Sequence, residues 1–384
     1  MIEQQARGMP FRFDLREASG ALADLGTLLP LLLGCIAVGG VAMLPAVLGF
    51  AVFYVATGLY YRLPIPVQPM KAVAAVVLTA GITPAGLAAS GVLLGATLLV
   101  LGLTGWIQHL ARLVPQSVLA GLQLGLGLAL AGVGLELMAS APLLACVVLG
   151  VILALLFAPR LPAVLIALAL AMLLAPLLQA PGIVVAAADV AALASLQLPT
   201  PAELGAALSQ LVLPQLSLTF TNAILLTALV AGDYFGERAR HVTPVRLSVS
   251  SGLANLLLAP FGALPMCHGA GGLAAHYRFG ARSGAAPVLL GAALGLFALL
   301  PRELALAVLT AIPAAGLGAL LLVAASELAF SKRLFDSRPS CWPVILVTAV
   351  ATLWLNPFWG LVAGFLAEAA RKAALRRFLG DSSA

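Results

Sequence analysis

Two short stretches put helix breakers and polar side chains into apolar sequence: Pro66-Val67-Gln68-Pro69-Met70-Lys71 and Pro265-Met266-Cys267-His268-Gly269-Ala270-Gly271-Gly272. Lys71 supplies a positive charge, His268 a donor or a titratable charge, and Gln68 and the backbone of residues 267–269 neutral donors. A helix that starts at such a break presents free N–H groups and the positive end of its dipole, so two of them facing each other make a dry anion site. Asp24-Leu25-Gly26-Thr27 and Thr219-Phe220-Thr221-Asn222 place a carboxylate, hydroxyls and an amide in two further apolar runs. The candidate lining is therefore Gly26, Thr27, Gln68, Met70, Lys71, Asn222, Met266, Cys267, His268 and Gly269, with Asp24 and His268 as candidate proton carriers.

Each of these residues also has a plainer reading. An intramembrane Lys can snorkel to the interface, but Lys71 falls at the inner end of a short helix, where ionisable groups mark sites or pathways. His268 can be a packing histidine, the glycines can serve close helix approach, and Met70 and Met266 can simply fill core. Asp24 can pair structurally near a helix end, and Asn222 can bridge helices. Glu136 and Glu327 read equally as interface anchors, and Asp233 and Glu237 as a solvated face.

The elements that position these residues follow from composition. The chain has 384 residues, 62% hydrophobic and only 9% charged, with a mean hydropathy of +1.11. A soluble domain carries roughly 25% charged residues, so the expectation is an all-α polytopic membrane protein. The apolar runs lack the alternation of a membrane barrel. The formal charge of +6 is scattered over short loops and does not point to nucleic acid. Residues 1–18 are polar and give no sign of a cleaved leader. Cys35, Cys146, Cys267 and Cys341 have no CxxC spacing, so neither a metal site nor any other cofactor is expected.

Spans fall at 20–38, 42–61, 67–80, 85–105, 114–137, 141–158 and 161–179, then at 213–232, 243–262, 266–279, 284–300, 303–329, 341–355 and 356–372. With the N-terminus inside, all 20 basic residues except Arg302 and Lys71 lie in cytoplasmic loops or tails, as the positive-inside rule requires. The offset that carries Met70 onto Met266 also carries Val92-Leu93-Leu94-Gly95-Ala96 onto Val288-Leu289-Leu290-Gly291-Ala292. Seven spans per half makes the repeats inverted, with half-helices in spans three and ten. The expected division is 1–179, a linker at 180–212, and 213–384 ending in a short basic tail. Interrupted spans in paired halves are the sequence pointer to a secondary transporter's binding site.

Three blocks are familiar. Ala23-Asp24-Leu25-Gly26-Thr27, Pro64-Ile65-Pro66-Val67-Gln68-Pro69-Met70-Lys71 and Pro265-Met266-Cys267-His268-Gly269-Ala270-Gly271-Gly272-Leu273 resemble the signature blocks of the MOT1-type molybdate transporter family. His276-Tyr277-Arg278-Phe279-Gly280-Ala281-Arg282-Ser283-Gly284 continues the likeness. The resemblance implies uptake of molybdate or sulfate by a relative of the sulfate permeases and nucleobase symporters. It also implies a site between spans three and ten, contacted by spans one and eight, and a core domain moving against a gate domain, often within a homodimer.

The expectation is thus a multi-pass inner-membrane transporter, both termini cytoplasmic, that imports a tetrahedral oxyanion by alternating access. Its partners are molybdate or sulfate, protons and membrane lipid, without nucleic acid. A nucleobase or organic-anion symporter of the same architecture is the alternative, disfavoured because a neutral base needs no compensating Lys71. A passive anion channel stands further back. An enzyme would cluster acids, histidines or metal ligands at one membrane face, and no such cluster is visible.

Overall fold

The computed structural model describes residues 11–107, 114–155, 157, 161–184 and 199–379. Helices start where the sequence supplies caps. In α1 (Leu15–Ala37) the Asp14 carboxylate accepts from the N–H groups of Arg16 and Glu17, each at 2.9 Å. In α4 (Pro84–Thr104) Thr83 caps and Pro84 occupies the first turn. Between them, α2 (Met43–Tyr61) is followed by a proline-rich extended segment leading to β1 (Gln68–Pro69) and the short α3 (Lys71–Ala80). The first half continues through α5 (Gln116–Met138), α6 (Pro142–Leu155) and α7 (Ala163–Leu174).

The next helical run, α8 (Pro201–Ala239), starts inside the stretch read as a linker. Thr200 and Glu203 form a capping box there and Pro201 begins the helix, whereas residues 185–198 lie outside the described residues. Two π-helical stretches, Ala207–Val212 and Thr219–Leu226, interrupt this run. After it come α9 (Pro244–Leu258), β2 (Met266–Cys267), α10 (Ala270–Arg278) and α11 (Ala285–Ala298). The last helices are α12 (Arg302–Thr310), α13 (Ala314–Ala329), α14 (Trp342–Trp354) and α15 (Pro357–Leu379).

Among the described residues, α1, α2, α4, α5 and α8 are long and apolar enough to cross a membrane unaided. Shorter apolar helices, α3, α6, α7, α13 and the Pro339–Trp354 run, lie within further segments expected to span. The protein is a multi-pass membrane protein. One expected span is not a single helix: 303–329 divides into α12 and α13, and α12 bends back from α11 by 109°. Pro313 breaks the helix, and residues 181–183 satisfy the exposed backbone: Ile183 donates to the Ile312 carbonyl at 2.8 Å and Ala314 to that of Pro181 at 2.9 Å.

The helices pack in pairs drawn from the two halves: α4 with α9, α2 with α11, and α5 with α13. Small residues permit these approaches. A Cβ on Gly95 would sit 2.8 Å from the Gly252 carbonyl, and one on Gly134 3.0 Å from that of Gly318. The sheet likewise joins the halves. β1 and β2 run antiparallel, pairing Gln68 with Cys267 and Pro69 with Met266, and Met70 donates to the Pro265 carbonyl at 3.0 Å. Asn255 of α9 closes the other edge of β2. Its Nδ2 donates to the Met266 carbonyl at 2.7 Å, and its Oδ1 accepts from Met266 N–H at 3.0 Å. Irregular backbone at this depth is thereby satisfied within the protein.

Candidate functional site

The strand pair brings the starts of the two half-helices, α3 and α10, together, as the sequence pattern anticipates. Between them lies a cavity of about 30 Å3 lined by Gln68, Pro69, Lys71, Cys267, His268 and Gly269 from the two breaks. Gln123 and Leu328 close it from α5 and α13, and Gln215, Leu218, Thr219 and Ala223 from α8. The space holds a water or two, so a larger ligand requires the lining side chains to swing aside.

Lys71 is the first residue of α3, half-buried, and lines the cavity together with Cys267. The helix start beside it is not open, however. Gln215 Oε1 accepts from the N–H groups of Ala72 at 2.9 Å and Val73 at 3.3 Å, while its Nε2 donates to Thr219 Oγ1 at 2.9 Å. An anion meets these N–H groups only after Gln215 lets go of them. Gln215 and Gln123 were not singled out by spacing; their signal is an amide within an apolar span. The Gln123 side chain faces the cavity, and its Oε1 has no hydrogen-bond partner among the described residues.

At the second break, His268 is held at both ring nitrogens. Nδ1 lies 2.9 Å from the Pro66 carbonyl, so it carries the proton and donates, leaving Nε2 to accept from Ser250 Oγ at 2.8 Å. Tyr61 Oη lies 2.9 Å from that same Ser250 hydroxyl and packs its ring edge-on against the imidazole. Gly269 and Gly272 are required by sterics: a Cβ on either would overlap the Gln68 amide, and on Gly272 also the Asp24 carboxylate at 2.5 Å. Gly271 faces open space.

Asp24 is fully buried behind the cavity. It accepts from Gln68 Nε2 at 2.8 Å and from the Tyr54 hydroxyl at 2.5 Å, and His276 Nε2 of α10 lies 3.5 Å away. Tyr54 had no distinguishing spacing, and His276 stood only as part of a motif.

Other anticipated residues lie elsewhere. Gly26 faces Val164 of α7, Thr27 is half-buried one position on, and neither lines the cavity. Met70 and Met266 are buried but also outside the lining, Met266 against Gly49 of α2. The side chain of Asn222 lies outside the described residues, although its helix passes the cavity. Glu136 and Asp233 are exposed, and Glu237 pairs with Arg240 on the surface.

A cation beside a ring of amides, between two half-helix starts buried in an apolar protein, is an arrangement for an anion. A family profile described as "Molybdate transporter of MFS superfamily" matches residues 16–130 and 207–328. The chain belongs to the molybdate transporter family. Similar relatives include Molybdate transporter 1 of Arabidopsis thaliana, 33% identical over 95% of this chain and 90% of that protein. Molybdate transporter 2 of the same plant is 29% identical over 87% and 82%. Among solved structures, the transmembrane domain of a cyanobacterial bicarbonate transporter, BicA, superposes with a TM-score of 0.68 at 16% identity, covering 92% of this chain and 98% of that one. The murine Slc26a9 anion transporter in its inward-facing state gives 0.67 at 13%, covering 97% and 70%. At these identities the likeness is one of fold. This family member therefore shares the fold of BicA and Slc26a9, and its family and relatives are transporters rather than enzymes.

Proposed function

We propose that this protein is a secondary active transporter that imports a tetrahedral oxyanion, molybdate or sulfate, by alternating access at the cavity beside Lys71. The observation that carries the reading is Lys71 at a half-helix start among the amides of Gln68, Gln123 and Gln215. A dianion taken out of water needs a paired charge and hydrogen bonds on its oxygens, or it costs several kcal/mol; one ammonium, the two helix ends and three reorientable amides supply them. The relatives named as molybdate transporters and the fold shared with two anion transporters support the same reading.

The wider architecture belongs to the proposal. Fourteen segments form two inverted halves that interleave into a core and a gate within a homodimer in the cell membrane, with both termini cytoplasmic. The exchange of partners between halves, α4 with α9 and α2 with α11, is what a two-fold relation produces. Co-transported protons would help a dianion enter against an inside-negative potential, which opposes each charge by about 2.3 kcal/mol per 100 mV. His268, engaged at both nitrogens, serves better as a fixed strut than as the carrier.

Proteoliposomes supplied with molybdate or sulfate should accumulate it saturably, and Lys71→Gln should reduce the initial rate on the order of 100-fold with expression retained, since truncating one partner of a buried charged contact costs about 2–5 kcal/mol. Full uptake by Lys71→Gln would overturn the site. Conductance without saturation or accumulation would make the protein a channel.

A further inference from the structure

We infer that Asp24 and His276 together form a proton-binding site, and that Gln68 transmits its occupancy to the cavity, so that one proton is taken up with each oxyanion. This rests on the oxyanion reading above and adds where the coupling proton sits and how it is felt.

Asp24 and His276 are both wholly buried and come from different halves of the chain. Their closest atoms, Asp24 Oδ2 and His276 Nε2, are 3.5 Å apart. That separation lacks the alignment of a hydrogen bond, and neither ring nitrogen of His276 has a hydrogen-bond partner among the described residues. His268 has both nitrogens satisfied; His276, buried and unsatisfied beside a carboxylate, is placed to gain or lose a proton. With one shared proton the pair is neutral overall, as carboxylate with imidazolium or as carboxylic acid with imidazole. Without it the pair holds a buried negative charge.

The donor set also tells a proton from a metal cation. Both Asp24 oxygens face donors, the Tyr54 hydroxyl and the Gln68 amide N–H. A hard cation needs several oxygen ligands converging on it, whereas these groups present hydrogens.

Gln68 connects this pair to the substrate. Its Nε2 bonds Asp24 while the same side chain lines the cavity, and its amide lies against Gly269 and Gly272, where any side chain would overlap it. A charged Asp24 holds the amide N–H. A protonated Asp24 releases it and offers its own O–H to Gln68 Oε1, so the N–H can turn to an oxyanion oxygen. A bound dianion in turn disfavours the negative form of the pair. Proton and oxyanion thus raise each other's affinity by one common factor.

The other charges near the pair do not bond it. From the elements packed on α1 come Lys71 of α3, Glu327 of α13 and Tyr277 and Arg278 of α10; α7 and α11 carry no ionisable group. On α1 itself, Glu17 accepts from Arg282 N–H at 2.8 Å. Against α10, α8 presents Tyr234, stacked on Tyr277 at 4.2 Å, and the exposed Asp233, while the Arg282 guanidinium lies over the Tyr277 ring. None forms a hydrogen bond or ion pair with Asp24 or His276 among the described residues.

The test uses the purified full-length protein, radiolabelled molybdate and sulfate as probes, and a pH dye in lightly buffered detergent solution. Wild-type affinity should fall about tenfold or more between pH 6 and pH 8, and close to one proton should be taken up per oxyanion bound. His276→Asn should flatten the affinity profile and abolish the proton uptake. Tyr54→Phe removes a donor to the carboxylate, so its profile should move to higher pH; it decides the matter if His276→Asn does not fold. A wild type that binds oxyanion with no pH dependence and no proton uptake overturns the proton site alone. So does an unchanged profile in the variants. A wild type that binds neither anion overturns the oxyanion reading itself.

Discussion

The starts of α3 and α10 occupy matching places in the two halves and meet across one strand pair, yet their chemistry differs. The α3 start carries Lys71 and is capped by the Gln215 side chain. The α10 start has no side-chain cap, is threaded with glycine, and has His268 locked on either side. One end holds a charge beside an amide cap. The other is shaped so that Gln68 and Asp24 can press against it. The two helix starts share one strand pair and carry different chemistry.

That contrast can be broken at three depths. The largest effect belongs to Gly272→Ala, whose added methyl overlaps the Gln68 amide and the Asp24 carboxylate. Overpacking of this kind costs about 1–3 kcal/mol. The variant should show a lowered thermal midpoint in detergent and lost uptake, whereas Gly271→Ala, with open space at its Cβ, should match the wild type. Equal behaviour of the two would deny α10 its shaped face. Next, Gln215→Ala uncovers the α3 start at a cost of about 1 kcal/mol in lost hydrogen bonds. Its thermal midpoint should drop modestly without ligand and recover when molybdate is added, because the anion then satisfies the same N–H groups. Failure of molybdate to restore it would mean that the cap is purely structural. The smallest effect is reserved for His268→Gln. It should lower uptake severalfold through loosened packing against Pro66 and Ser250 while leaving the pH dependence in place. A flattened pH profile would move the proton to this residue.

Much of this was legible because prolines and glycines in apolar sequence have few uses. Pro66, Pro69, Pro265 and Gly269 marked both breaks, Lys71 marked the charge, and Asp24 stood out as a carboxylate in a span. What escaped was direction. Gln123 and Gln215 lie in apolar helices whose exposed face is lipid rather than water, so amphipathic period could not say which way either pointed. Gly26 shares a helix with Asp24 but turns toward α7, two steps of about 100° per residue settling the difference. The grouping of Asp24 with Tyr54 and His276 joins three elements and depends on strand register, which no local pattern encodes. The break between α12 and α13 was hidden since apolar residues continue through it and Pro313 alone marks it.

The strand pair, finally, makes chain length a requirement in its own right beside residue identity. Side chains alternate faces along a strand, so inserting or deleting one residue between Arg62 and Met70 would turn Gln68 away from Asp24 and aim a neighbour at it. Asn255 fixes the other edge of β2 and leaves no slack to absorb the slip. A change in the length of that segment removes the hydrogen-bond partner of Asp24 and a wall of the cavity in a single event.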